Sequence, residues 1–145
     1  MDESGQINHL ILRLAHAHRA VAATLLQELG LYPGQELLLM RLWETDHQSQ
    51  TALAESLQLD PSTVTRTVQR LEQQGFITRN PSTTDRRSLI VSLTPAGSAL
   101  RAKVEKAWGT LADITTAGMP DRPRADALRL LRRMETNLRS AGPRR

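Results

Sequence analysis

The segment DPSTVTRTVQRLEQQG, Asp60 to Gly75, constrains the chain more than any other stretch. Both ends carry helix punctuation. Asp60 is a residue type that N-caps a helix by accepting a hydrogen bond from a free backbone N–H. Pro61 suits the first helical position, where no N–H is needed, and Gly75 suits the left-handed residue that closes a helix. Val64, Val68 and Leu71 fall at i, i+4 and i+7 and share one face, which predicts burial there. At about 100° per residue, Ser62, Arg66, Gln69 and Gln73 share the opposite face, with Thr65 beside them and Thr63 and Arg70 along one flank. An ordinary solvated face favours Glu and Lys in i, i+4 pairs. This face carries hydroxyls, amides and arginines instead, and Glu72 is the only acid inside the helix. Such groups donate to phosphates and read base edges: Arg on guanine, Gln on adenine, a Thr methyl against thymine. For this helix alone, an ordinary surface helix is the alternative.

Its neighbours narrow the choice. Upstream, Ser49 suits the cap of a short helix, QTALAESL, with Leu53, Ala54 and Leu57 inward, and QLD turns from it into Asp60. Two short helices joined by a tight turn form a helix-turn-helix, whose second helix enters a major groove. Downstream, FITRN predicts a strand, PSTTDRR a polar turn, and SLIVSLT a second strand with Leu89, Val91 and Leu93 on one face. A hairpin in that place is a wing. Before this lobe, Ile7, Leu10, Ile11, Leu14, Val21 and Leu25 mark a long amphipathic helix ending near Gly30. QELLLMRLWE reads as another helix after the Pro33–Gly34 break, and DHQSQ as a polar connector. After the lobe, Thr94 caps and Pro95 opens a helix through Leu100, Val104, Trp108 and Leu111. GMPDRP breaks it, and a last helix carries Leu128, Leu131, Met134 and Leu138.

Composition bounds the function. The 145 residues suit one domain, and 39% hydrophobic residues suffice for a core. The absence of cysteine excludes disulfides, thiol redox sensing and Cys-based zinc sites. No apolar run approaches the length of a membrane span, and MDESGQ is unlike a secretory signal, so a cytoplasmic protein is expected. Charge is uneven. Residues 1–59 hold three Arg against seven acids, net −4; residues 60–94 hold five Arg against three acids, net +2; residues 121–145 hold eight Arg against three acids, net +5. A basic patch is the footprint of a polyanionic partner. For the arginines of the GPRR tail, solubilising a frayed end is the alternative.

From about Gln35 to Gly97 the chain resembles the MarR family of winged helix-turn-helix transcriptional regulators. DRRSLIVSLT, Asp85 to Thr94, fits the family pattern Asp-x-Arg-x-x-x-Val-x-Leu-Thr. ALAESLQLDPSTVTRTVQRLEQQGFITR fits its helix-turn-helix. The resemblance implies a mainly α fold with a two-stranded β wing. It implies one domain over residues 1–145, with the winged lobe at 35–97 and dimerisation helices at 1–30 and 98–145, interlocked in a homodimer. It implies double-stranded DNA as partner, and groove-facing positions at Ser62, Thr63, Thr65, Arg66 and Gln69. Arg66 and Gln69 are expected to contact bases and Arg70 a phosphate. Arg87 matches the wing arginine that enters the minor groove, Asp85 the carboxylate that orients it, and Arg86 is expected to meet backbone. For Asp85 and Arg87, a salt bridge that stiffens the hairpin is the alternative.

The resemblance also implies release of DNA by a small aromatic or anionic effector held between the lobes. Here that region draws on His9, Arg13, His16, Arg41, Trp43 and Trp108, the tryptophans having plain core or interface packing as their alternative. No metal or other cofactor is expected: there are four histidines and no His-x-x-x-His pair. Nor is an enzyme, since no phosphate-binding glycine loop or nucleophile elbow is present. The rival readings are a winged-helix module for protein contacts and a metal-responsive regulator.

Overall fold

A computed structural model describes residues 1–142; Pro143, Arg144 and Arg145, most of the GPRR tail, lie outside the described residues. The elements run α1 (Glu3–Gln27), α2 (Gln35–Glu44), β1 (Gln48–Ser49), α3 (Gln50–Leu57), α4 (Pro61–Gln73), β2 (Ile77–Pro81), β3 (Leu89–Leu93), α5 (Pro95–Thr115) and α6 (Asp121–Ala141). They fall into two compact units, Met1–Leu111 and a second from Ala112 on.

The first unit is built on the apolar positions legible in the sequence. Leu38, Leu39 and Leu42 of α2, Leu53 and Ala54 of α3, and Val64, Val68 and Leu71 of α4 close on Ile77, Val91, Leu100 and Val104. Leu26 and Leu31, at the end of α1 and just beyond it, complete this core. Local signals set the boundaries. The Asp2 carboxylate accepts from the Gly5 N–H at 2.8 Å and starts α1. Gly34 takes a left-handed φ of 99° before α2, a conformation that favours glycine. The Ser49 hydroxyl accepts from the Ala52 N–H at 3.0 Å and starts α3.

Two expectations need correction. DHQSQ is more than a connector: within it, β1 pairs antiparallel with β3, Gln48 opposite Val91 and Ser49 opposite Ile90. The wing hairpin, with Ile77 opposite Leu93 and Pro81 opposite Leu89, is therefore part of a three-stranded sheet of order β1-β3-β2. A two-residue strand carries no period-2 pattern, so only its partner reveals it. Asp60 does occupy the N-cap position of α4, but its side chain makes no capping bond.

Where α5 begins, three elements meet on one glycine. The Thr94 hydroxyl accepts from the Gly97 N–H at 3.1 Å and donates to the Gly75 carbonyl at 2.6 Å. The Trp43 indole donates to the Gly97 carbonyl at 3.0 Å. A Cβ on Gly97 would stand 2.0 Å from the Phe76 carbonyl oxygen, so only glycine lets α5 approach the start of the wing this closely. The second unit holds α6, which follows the left-handed Gly118 and has no buried residue. Leu128, Leu131, Met134 and Leu138 are all exposed on it, as are Ile7, Leu10, Ile11 and Leu14 on α1.

Candidate nucleic-acid interface

The turn between α3 and α4 closes on backbone bonds. Gln58 takes φ 54° and its N–H reaches the Ala54 and Glu55 carbonyls, and the Leu59 N–H bonds the Ala54 carbonyl at 3.1 Å. α4 is then held by its apolar face, with Val64, Val68 and Leu71 at most 1% exposed. That anchorage fixes what faces outward: Ser62, Arg66, Gln69, Arg70 and Gln73 are exposed, and Thr63 and Thr65 half-buried. Because Asp60 does not cap the helix, the first-turn N–H groups near Ser62 and Thr63 receive no carboxylate from it. The positive end of the helix dipole sits there too, a setting suited to an anion. The Thr65 hydroxyl donates to the Pro61 carbonyl at 2.9 Å. The same oxygen accepts from the Gln50 amide at 3.4 Å, which ties α4 to the start of α3.

The lone acid of α4 is turned away from this face. Glu72 takes a two-pronged contact from the Arg79 guanidinium, at 3.1 and 3.3 Å, and a third bond from the Arg79 backbone N–H at 3.2 Å. The Arg79 hydrogen bonds hold its carboxyl below the ordinary carboxylate range, against a smaller opposing effect of burial. The pair ties the last turn of α4 to β2. It also leaves the outward face without a negative charge, which neither the helix pattern nor the hairpin pattern announces.

A second feature escapes sequence reasoning. The Arg70 guanidinium lies over the Tyr32 ring, 4.5 Å from its centroid. Tyr32 sits in the α1–α2 connection, and amides fasten that connection to α4. The Tyr32 N–H donates to Gln35 Oε1 at 2.9 Å, the Gln35 amide to Gln74 Oε1 at 2.9 Å, and the Gln74 amide to the Gly30 carbonyl at 2.7 Å. Tyr32, Thr63, Arg66, Gln69 and Arg70 thus line one cleft of about 430 Å³. The available signal was the chain's single tyrosine, placed beside a Pro-Gly break where no core position calls for an aromatic ring.

At the wing tip, Asp85 organises backbone. Its carboxylate accepts from the Arg87 N–H at 3.0 Å and from the Ser88 hydroxyl at 3.3 Å, and its carbonyl takes the Ser88 N–H at 3.0 Å. Ser82 and Ser88 close the loop with a 2.8 Å backbone bond. The salt-bridge alternative does not hold: among the described residues no ion pair engages the Arg86 or Arg87 guanidinium, and both side chains are exposed.

The effector candidates are more scattered. His9, Arg13 and His16 are exposed on α1. Arg41 pairs with Glu44 at 3.6 Å. Trp43 is half-buried with its indole N–H engaged by Gly97, and Trp108 is 36% exposed. No hydrogen bond or ion pair among the described residues joins the three α1 residues to Trp43.

A helix-turn-helix followed by an arginine-tipped hairpin defines a winged helix-turn-helix protein. The MarR family model matches residues 31–89. The organic hydroperoxide resistance transcriptional regulator of Bacillus subtilis is 40% identical over 87 residues, 60% of this chain and 59% of that protein, so the match spans less than two thirds of that relative. A transcriptional regulatory protein for the hcr operon of Thauera aromatica is 32% identical over 118 residues, 81% of this chain and 71% of that protein. Among solved structures, Bordetella bronchiseptica BpsR, studied for the regulation of its DNA binding by 6-hydroxynicotinic acid, superposes with a TM-score of 0.81. That match has 25% identity and covers 93% of this chain and 96% of the other. The chain belongs to the MarR family of transcriptional regulators.

Proposed function

We propose that the chain binds double-stranded DNA sequence-specifically as a homodimer and represses transcription until a small aromatic or anionic effector releases it. The observation that carries the DNA reading is the outward face of α4. It exposes Ser62, Arg66, Gln69 and Arg70 with no acid among them, on the same lobe as a wing whose Arg86 and Arg87 make no ion pair among the described residues. Arg66 and Gln69 read bases, Thr65 offers its methyl, and Ser62, Thr63, Arg70 and Arg86 meet phosphates. Arg87 enters a minor groove from a loop whose backbone the Asp85 carboxylate holds. Two copies joined through the exposed apolar residues of α1 and α6 would present two such lobes. Their two-fold symmetry then requires a pseudo-palindromic site with half-sites about 10 bp apart. Such a protein works in the cytoplasm; no helix among the described residues is long and apolar enough to cross a membrane.

Effector release is supported by the similarity to BpsR, whose DNA binding responds to 6-hydroxynicotinic acid. We assign His9, Arg13 and His16 of α1 to the effector's polar group, with Trp43 as apolar floor. The test is fluorescence anisotropy with DNA from upstream of the protein's own gene and a scrambled duplex, over several salt concentrations, with and without 6-hydroxynicotinic acid. Preferential, salt-sensitive binding is expected, because phosphate contacts release counterions. Equal weak binding to both duplexes would overturn the sequence-specific reading.

A further inference from the structure

We propose that Tyr32, outside the helix-turn-helix and the wing, is the positioning residue that sets Arg70 for a backbone phosphate. The inference rests on the DNA-binding reading of α4. Arg70 is exposed on the flank of that helix, and a free arginine there would sample many rotamers at an entropic cost to binding. Its guanidinium is instead laid on the Tyr32 ring, 4.5 Å from the centroid. A guanidinium held over a ring by its charge spends none of its N–H donors on hydrogen bonds to the ring, so the contact limits where Arg70 goes and leaves those donors for the phosphate. The platform is itself fixed. The Tyr32 backbone N–H is held by Gln35, and Gln35 is tied through Gln74 to Gly30, so the backbone that carries the ring belongs to one hydrogen-bonded frame. Tyr32 is 57% exposed and lines the same cleft as Thr63, Arg66 and Gln69, so it stands at the interface and not in the core. The arrangement also divides labour along α4. Arg66 makes no ion pair or ring contact among the described residues and is left to reach a base, while Arg70 is oriented for the backbone.

The experiment measures anisotropy of the full-length protein on its upstream DNA across a salt series, for wild type, Tyr32→Phe, Tyr32→Leu, Arg70→Ala and the Leu/Ala double variant. The Tyr32 side chain makes no hydrogen bond in the frame, so the substitutions leave the frame's backbone bonds intact. Tyr32→Phe keeps the ring and should bind within about twofold of wild type. Tyr32→Leu should weaken binding about threefold to fivefold on matched and scrambled DNA alike. Its salt slope should fall toward that of Arg70→Ala, which loses about one phosphate contact. The double variant should be no weaker than Arg70→Ala alone, since Tyr32 acts through Arg70. Losses that multiply in the double variant, or an unchanged salt slope in Tyr32→Leu, would overturn the inference while leaving DNA binding standing. A wild type that binds no duplex would overturn the DNA reading and this inference together.

Discussion

α4 and α6 are both amphipathic helices rich in arginine, and they meet opposite fates. α4 buries Val64, Val68 and Leu71 almost completely within its own unit, whereas α6 leaves Leu128, Leu131, Met134 and Leu138 exposed and buries nothing. An apolar stripe states that a face needs cover; it does not say which surface supplies it. For α4 the cover is α3, β2 and the core beneath, and the opposite face is thereby committed to solvent or DNA. For α6 the cover proposed here is a second copy of the chain. Burying such large side chains is worth roughly 1.5–3 kcal/mol each, so a stripe of this length is a strong drive to associate.

The anchorage of α4 is tested most directly at the core. Leu71→Ala should destabilise the winged lobe by about 2–5 kcal/mol, through lost burial and the cavity left behind. Chemical denaturation would measure it, and a loss under ~1 kcal/mol would mean that α4 is not anchored as described. Gly97→Ala should cost about 2–4 kcal/mol, because a Cβ 2.0 Å from the Phe76 carbonyl forces backbone apart at the start of α5. Retained stability there would show that α5 can step away from the wing freely. On α6, Leu131→Asp should leave the fold of the lobe, seen by circular dichroism, while shifting sedimentation toward monomer and removing the protein-concentration dependence of Tm. Unchanged sedimentation would remove α6 from the dimer interface.

Smaller effects sharpen the outward face of α4. Arg66→Ala should weaken binding to the matched site by about 1–3 kcal/mol and relax base preference near that contact. Equal loss on every sequence would make Arg66 a phosphate contact. The smallest effect concerns Glu36, which is buried at 6% exposure and accepts from the Gly34 N–H at 2.8 Å. Burial pushes its pKa up, more than the backbone bonds to Glu36 and Gly34 pull it down. A carboxyl whose folded pKa is raised withdraws stability as pH rises from its ordinary value through the folded one. Glu36→Gln should therefore raise Tm at neutral pH, with the gain fading below about pH 4 where both states are protonated. A gain that persists in acid would assign the effect to something other than charge.

The residues that form α2, α3 and α4 were legible because spacing and punctuation agreed. QELLLMRLWE and QTALAESL became helices at those residues, with Ser49 capping the second as its type suggested. The outward row of Ser62, Arg66 and Gln69 followed from the same geometry that buries Val64 and Val68. β1 was not legible, because two residues hold no period and their strand character comes entirely from β3. The role of Asp85 was half legible. The family resemblance implied a carboxylate that orients Arg87, but it bonds the Arg87 backbone and not the guanidinium. Tyr32 was invisible, because its partner lies 38 positions away on another element.

By itself the sequence determined the elements and their inward faces, because helical and strand periods act between near neighbours along the chain. It also determined the winged helix-turn-helix class, because the DRRSLIVSLT and helix-turn-helix motifs are local patterns too. Only the tertiary structure decided which charges stay available. Glu72 is engaged by Arg79 and Arg70 is set on Tyr32, while the Arg86 and Arg87 guanidinium groups stand outside every ion pair of the described residues. Those outcomes depend on directions in space between groups far apart in the chain, which residue type and spacing do not encode.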